Sequence, residues 1–189
     1  MGKPKDDQPR AGASADRSAS ILGAARDAAK GRGPAPVHLW NPPFCGDLDM
    51  EIRADGSWFY NGTPIARPAL VRLFASVLKC EDGKHFLVTP VEKVGIRVED
   101  APFIATDAEM GEGAIRFTTN LGDEVVAGPD HPITVTGSAD APRPYVTVRG
   151  QLRARIDRKT FYRLAEHAAP GPDGRLGVRS GGVFFALEP

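Results

Sequence analysis

The sequence predicts an α+β protein of two small, similar lobes, each made mainly of antiparallel strands packed on one helix. Three observations predict it. Residues 65–83 (IARPALVRLFASVLKCEDG) align without a gap to residues 156–174 (IDRKTFYRLAEHAAPGPDG), with six identities in nineteen positions at an offset of 91, where random pairing gives roughly one or two. Both copies carry an amphipathic helical stripe followed by Asp-Gly. The remaining sequence is short runs of alternating apolar and polar residues separated by Gly and Pro, the pattern of strands and turns. Gene duplication is one origin of such an echo; the other is convergence, because helix, Asp-Gly turn and strand is a common succession.

The elements follow in order. Residues 1–20 are polar and scattered with Pro, Gly and Ser, so they are expected to be disordered. Ser18 to Lys30 suits a short helix that the Gly-Arg-Gly-Pro-Ala-Pro run at 31–36 ends. Met50 and Ile52 alternate with Glu51 and Arg53, and Asp55-Gly56 turns the chain into Ser57-Trp58-Phe59-Tyr60, which reads as a hairpin. After a second turn at Asn61-Gly62, Pro68 fits the first position of a helix. Its expected buried stripe is Leu70, Leu73, Phe74, Val77 and Leu78. Strands are expected around 85–88 and at Val94, Ile96 and Val98, then at 115–119, 124–126 and 133–135. From Val146 to Ile156 apolar residues occupy most even positions, with Gly150 marking a turn or bulge. A second helix follows with Asp157 as N-cap and the stripe Phe161, Leu164, Ala165, Ala168 and Ala169. Short strands around Leu176–Val178 and at 183–187 close the chain. The organisation is therefore a tail over 1–36, disordered or partly helical, a first α+β lobe over 37–110 and a second over 111–189.

Composition narrows the function. Basic and acidic residues balance at 24 each, so no bulk attraction to nucleic acid or membrane is implied. No apolar run reaches the length of a membrane span and no apolar signal core precedes the first lobe, so a cytoplasmic protein is expected. Two cysteines fit a reducing compartment. Charge is segregated locally: eight acidic residues and one basic one lie between Glu99 and Asp130, whereas Arg143 to Arg163 holds seven basic residues and one acid. Such segments can meet within the fold or between subunits, and a homo-oligomer is expected.

Chemical motifs are sparse. The sequence holds no phosphate-binding glycine loop, no HExxH and no CxxC, and its four histidines are far apart; neither a cofactor nor a metal is expected. Trp40-Asn41-Pro42-Pro43-Phe44-Cys45 is the least generic stretch, since two prolines hold an aromatic and a thiol in a restricted arrangement. It can line a pocket, or it can pack as a lid on the hairpin. Cys45 is a weak candidate nucleophile, because no histidine stands in a recognisable motif with it. Arg149, Arg153 and Arg155 share one strand face if Gly150 leaves the register intact, and guanidinium forks suit oxyanions. Their alternative is a solvated face paired with the acidic segment.

The combination Trp-Asn-Pro-Pro, Asp-Gly-x-Trp-x-Tyr-x-Gly at 55–62, the Arg67–Phe74 helix and Val-Thr-Pro-x-Glu-Lys at 88–93 resembles a proteobacterial family known as domain of unknown function 1285, across about residues 37–187. The resemblance implies a two-lobed α+β protein with repeated substructure and suggests ligand sensing or signal transduction. It supplies no catalytic residue. Its motif positions Trp40, Asn41, Cys45, Trp58, Tyr60, Thr89, Glu92 and Lys93 are the candidate ligand-binding residues. The expected function is a non-enzymatic module that binds a small molecule or a protein near the cleft between lobes. The rivals are a hydrolase using Cys45 or the Glu92/Lys93 pair, and a structural oligomerisation protein.

Overall fold

The structure, a computed structural model, describes residues 11–28 and 35–189. Helix α1 (Ala11–Ala28) begins within the stretch expected to be disordered. Its alanine-rich sequence favours helix, and Ile21 and Ala25 are fully buried in the common core. Tertiary packing thus offsets an ordering entropy that composition alone does not. The remainder of the expected tail, residues 1–10 and 29–34, lies outside the described residues.

The first lobe holds β1 (Phe44–Ile52), β2 (Trp58–Tyr60), β3 (Thr63–Pro64), helix α2 (Pro68–Ser76), β4 (Leu78–Glu81), β5 (Lys84–Val88) and β6 (Lys93–Val98). Its strands form one sheet in the order β3-β2-β1-β6-β5-β4. The hairpin turn before Trp58 is held by Asp55, whose carboxylate accepts from the Ser57 amide at 2.9 Å. Asn61-Gly62 and Asp82-Gly83 both adopt positive φ at both residues, the twist that two-residue hairpins require.

The second lobe holds β7 (Phe103–Gly111), β8 (Ala114–Thr119), β9 (Glu124–Val126), β10 (Ile133–Ser138), β11 (Ala141–Arg149) and β12 (Leu152–Ile156), ordered β10-β11-β12-β7-β8-β9. Helix α3 (Arg158–Glu166) and a separate sheet of β13 (Ala169–Pro170), β14 (Leu176–Ser180) and β15 (Val183–Ala186) complete it. Because β7 pairs with β8 and, in parallel, with β12, the lobes divide before residue 103 and not at 110/111.

The two six-stranded sheets are alike, with one parallel pairing each, β1 with β6 and β12 with β7. Both lobes place a helix and a three-strand meander in succession. In the first lobe the meander β4–β6 joins the main sheet through β1; in the second, β13–β15 stands apart.

Both helical stripes are shifted from the expected ones. In α2 the buried residues are Val71, Phe74 and Ala75, with Leu70 and Leu73 half-buried; Val77 and Leu78 are fully buried but lie past the helix end. In α3 Thr160 and Leu164 are buried, Phe161 is half-buried, and Ala165 and Ala169 are exposed. The apolar period ran through the helix end because β4 continues directly into the same core.

Candidate functional site

Gly150, at φ +53°, is a hairpin turn and not a bulge within one strand. Arg149 therefore ends β11 while Arg153 and Arg155 lie on β12, and the expected ladder of three arginines on one strand does not form. Arg149 turns inward. Its Nη1 donates to Asp123 at 2.9 Å, its Nη2 donates to the Ala75 carbonyl of α2 at 2.6 Å, and its guanidinium carbon lies 5.0 Å from the Phe103 ring centre. Arg153 stacks on Tyr145 at 4.2 Å. Arg155 faces Asp100 at 3.8 Å, and the Tyr145 hydroxyl donates to the same carboxylate at 2.6 Å. With Arg163 paired to Asp107, the basic and acidic segments meet inside the chain.

Arg149 borders two clefts. One, of about 550 Å³, is walled by Ala35–His38, by β4 from Leu78 to Glu81, and by Arg149–Leu152. It thus draws on both lobes. Ala35, Val37, Leu78 and Leu152 supply apolar lining, while Arg149, Lys79 and Glu81 supply charge. The other, of about 480 Å³, lies between Arg72 and Ser76 of α2 and the 121–125 turn, with His131.

Cys80 lines the larger cleft, and burial pushes its thiol above the usual value. Across the β4–β5 hairpin it faces His85 in register, whose imidazole is pushed down by burial and then by the charge of Arg153. Both shifts favour the neutral forms, the reverse of a thiolate–imidazolium pair.

The residues expected from sequence separate into distinct groups. Cys45 is half-buried on β1 and its thiol donates to the Pro43 carbonyl. Trp58 is 2% exposed in the core, and Tyr60 is half-buried on the same strand. Thr89 is fully buried and holds its own turn, its hydroxyl accepting from the amides of Val91 and Glu92. Lys93 is bound by Glu81, which also pairs with Lys79, each at 2.8 Å. These two ammonium groups, Lys79 foremost, hold the Glu81 carboxyl below its ordinary range. Lys93 is thus engaged by Glu81 across the sheet. Trp40 is half-buried with its carbonyl accepting from Lys79, while Asn41 is exposed. Of the residues singled out, Arg149 alone lines the larger cleft. Sequence reasoning missed His38, Cys80 and Leu152; their convergence depends on lobe packing, and no local motif marks them.

No described helix is long and apolar enough to cross a membrane, and no group of three or more His, Cys, Asp or Glu among the described residues is placed to hold a metal ion.

Comparison with known proteins places these lobes in a family. Residues 35–101 match the family model described as "Domain of unknown function (DUF1285), N-terminal domain", and residues 102–187 match "Protein of unknown function (DUF1285), C-terminal domain". The boundary between the matches coincides with the division between sheets. The crystal structure of a DUF1285 family protein from Silicibacter pomeroyi DSS-3 is similar at 55% identity, covering 89% of this chain and 94% of that one, with a TM-score of 0.81. One from Shewanella baltica OS155 is similar at 30% identity over 63% of this chain and 91% of that one, with a TM-score of 0.52. No curated protein matches. The chain belongs to the DUF1285 family.

Proposed function

We propose that this protein is a binding module whose small-molecule ligand occupies the larger cleft between the lobes. The observation that carries this reading is the cleft itself: about 550 Å³, walled by three segments from both lobes, and within the roughly 300–1,000 Å³ of small-molecule sites. Its apolar lining and the guanidinium of Arg149 suit an apolar body bearing an acidic group. A ligand seated there touches both lobes at once, which is the arrangement a sensing role needs. The neutral forms favoured at Cys80 and His85 and the internal bond of Cys45 speak for binding over thiol hydrolysis.

The test is a thermal-shift panel of small apolar carboxylates and phosphates, with native mass spectrometry for co-purifying molecules. At least one compound should raise the melting temperature by several degrees, and a Gln151→Trp substitution at the exposed rim should abolish that shift. A panel without any shift, together with a protein that carries no bound molecule, would overturn the reading.

A further inference from the structure

A third cleft, of about 480 Å³, lies wholly within the second lobe, between the start of β11, the end of β12 and the first turns of α3. Arg143, Arg155 and Arg158 enter it from these three elements, beside Phe161 and Tyr162. We propose that it binds a phosphate monoester whose organic part is aromatic.

Among the described residues, neither Arg143 nor Arg158 has a carboxylate partner, and Arg155 has Asp100 alone, at 3.8 Å. Two aspartates lie in the wall against the three arginines: Asp140 in the turn before β11, and Asp157, the N-cap of α3, whose carboxylate accepts from the Thr160 amide at 2.7 Å. That cap takes up the Thr160 amide, one of the free N–H groups of the first turn. The forks of Arg143 and Arg158, and that of Arg155 beyond its long contact with Asp100, offer N–H donors in pairs to an oxyanion in the cleft. A phosphoryl group has three terminal oxygens and close to two charges near neutral pH; a carboxylate has two oxygens and one charge, so it leaves one fork without a partner.

The apolar requirement comes from the same walls. Tyr162 is 53% exposed, and Arg158 reaches it twice: its Nε donates to the hydroxyl at 2.9 Å, and its guanidinium carbon lies 5.4 Å from the ring centre. With half-buried Phe161, the ring offers a face for an aromatic group next to the charged one. This site is separate from the cleft between lobes and stands whether or not that cleft binds anything.

Titration calorimetry on the full chain with phenyl phosphate, inorganic phosphate and benzoate tests the proposal. Phenyl phosphate should bind saturably, more tightly than the other two, and more weakly as salt is raised. Arg143→Gln with Arg158→Gln should weaken it by at least about tenfold, while Arg116→Gln on β8 should not. Arg143→Lys with Arg158→Lys keeps the charge and removes the forks, so it should weaken binding less than the glutamine pair; it also serves if the glutamine pair unfolds. Absence of saturable binding, or equal affinity in both paired variants and the parent, would overturn the site. Benzoate binding as tightly as phenyl phosphate would overturn the assignment to phosphate, and inorganic phosphate doing so would overturn the aromatic part.

Discussion

Cys80 and His85 face each other across one hairpin, and burial acts on them in opposite directions. The thiol is raised and the imidazole lowered, because a half-desolvated site disfavours the charged form of each. The imidazole carries a consequence for stability. Above its ordinary value of 6.5 the ring is neutral in both folded and unfolded chains, so it adds no pH dependence. As pH falls through that value the unfolded chain takes a proton that the folded one resists, and stability declines. Urea unfolding at about pH 7.5 and about pH 5.5 should show a decline that is smaller in His85→Gln than in the parent; parallel declines would contradict the assignment. Two prolines and a tryptophan lie close to Cys45 in the sequence. The thiol that borders a cleft is instead Cys80, in a stretch with no distinguishing composition.

The two helices begin differently. At α3 the Asp157 carboxylate accepts from the Thr160 amide, whereas Arg67 before α2 makes no side-chain cap and Pro68 stands at the first position instead. Asp157→Ala should therefore cost about 1 kcal/mol of stability, read as a lowered urea midpoint with an unchanged slope. Turns were the most legible elements. Asp55-Gly56, Asn61-Gly62 and Asp82-Gly83 all turn where expected, since few residues other than Gly, Asn and Asp tolerate positive φ. Helix ends were less legible. Val77 and Leu78 extend the apolar period of α2 but stand at its C-cap and in β4, and period alone does not separate a buried helix end from a buried strand start.

At the scale of the whole molecule, Arg149 is the clasp. From β11 it binds Asp123 within its own lobe and the Ala75 carbonyl in the other, with its side chain 20% exposed. Arg149→Met keeps the apolar stem but leaves the Asp123 carboxylate and the Ala75 carbonyl without this donor. The expected cost is about 1–3 kcal/mol. Hydrogen exchange should also quicken at the end of α2 and in the 121–125 turn; unchanged exchange at both would refute the clasp. The acidic and basic segments, whose composition suits an interface between subunits, are joined inside the chain by Arg149–Asp123, Arg155–Asp100 and Arg163–Asp107. Three of the seven basic and three of the eight acidic residues are thus paired within the chain.

The sequence by itself determined the α+β class, the two similar lobes, the turns and the N-cap of α3, because periodicity, positive-φ residues and caps act over a few neighbouring residues. Tertiary structure alone decided the rest. It extended the helix expected from Ser18 back to Ala11, within the stretch whose composition reads as disordered. It set Arg149 on a different strand from Arg153 and Arg155 through the turn at Gly150. It also assembled both the cleft between lobes and the arginine-lined one from segments that are distant in sequence. Such convergence depends on how sheets and helices stack, and no short stretch of residues encodes it.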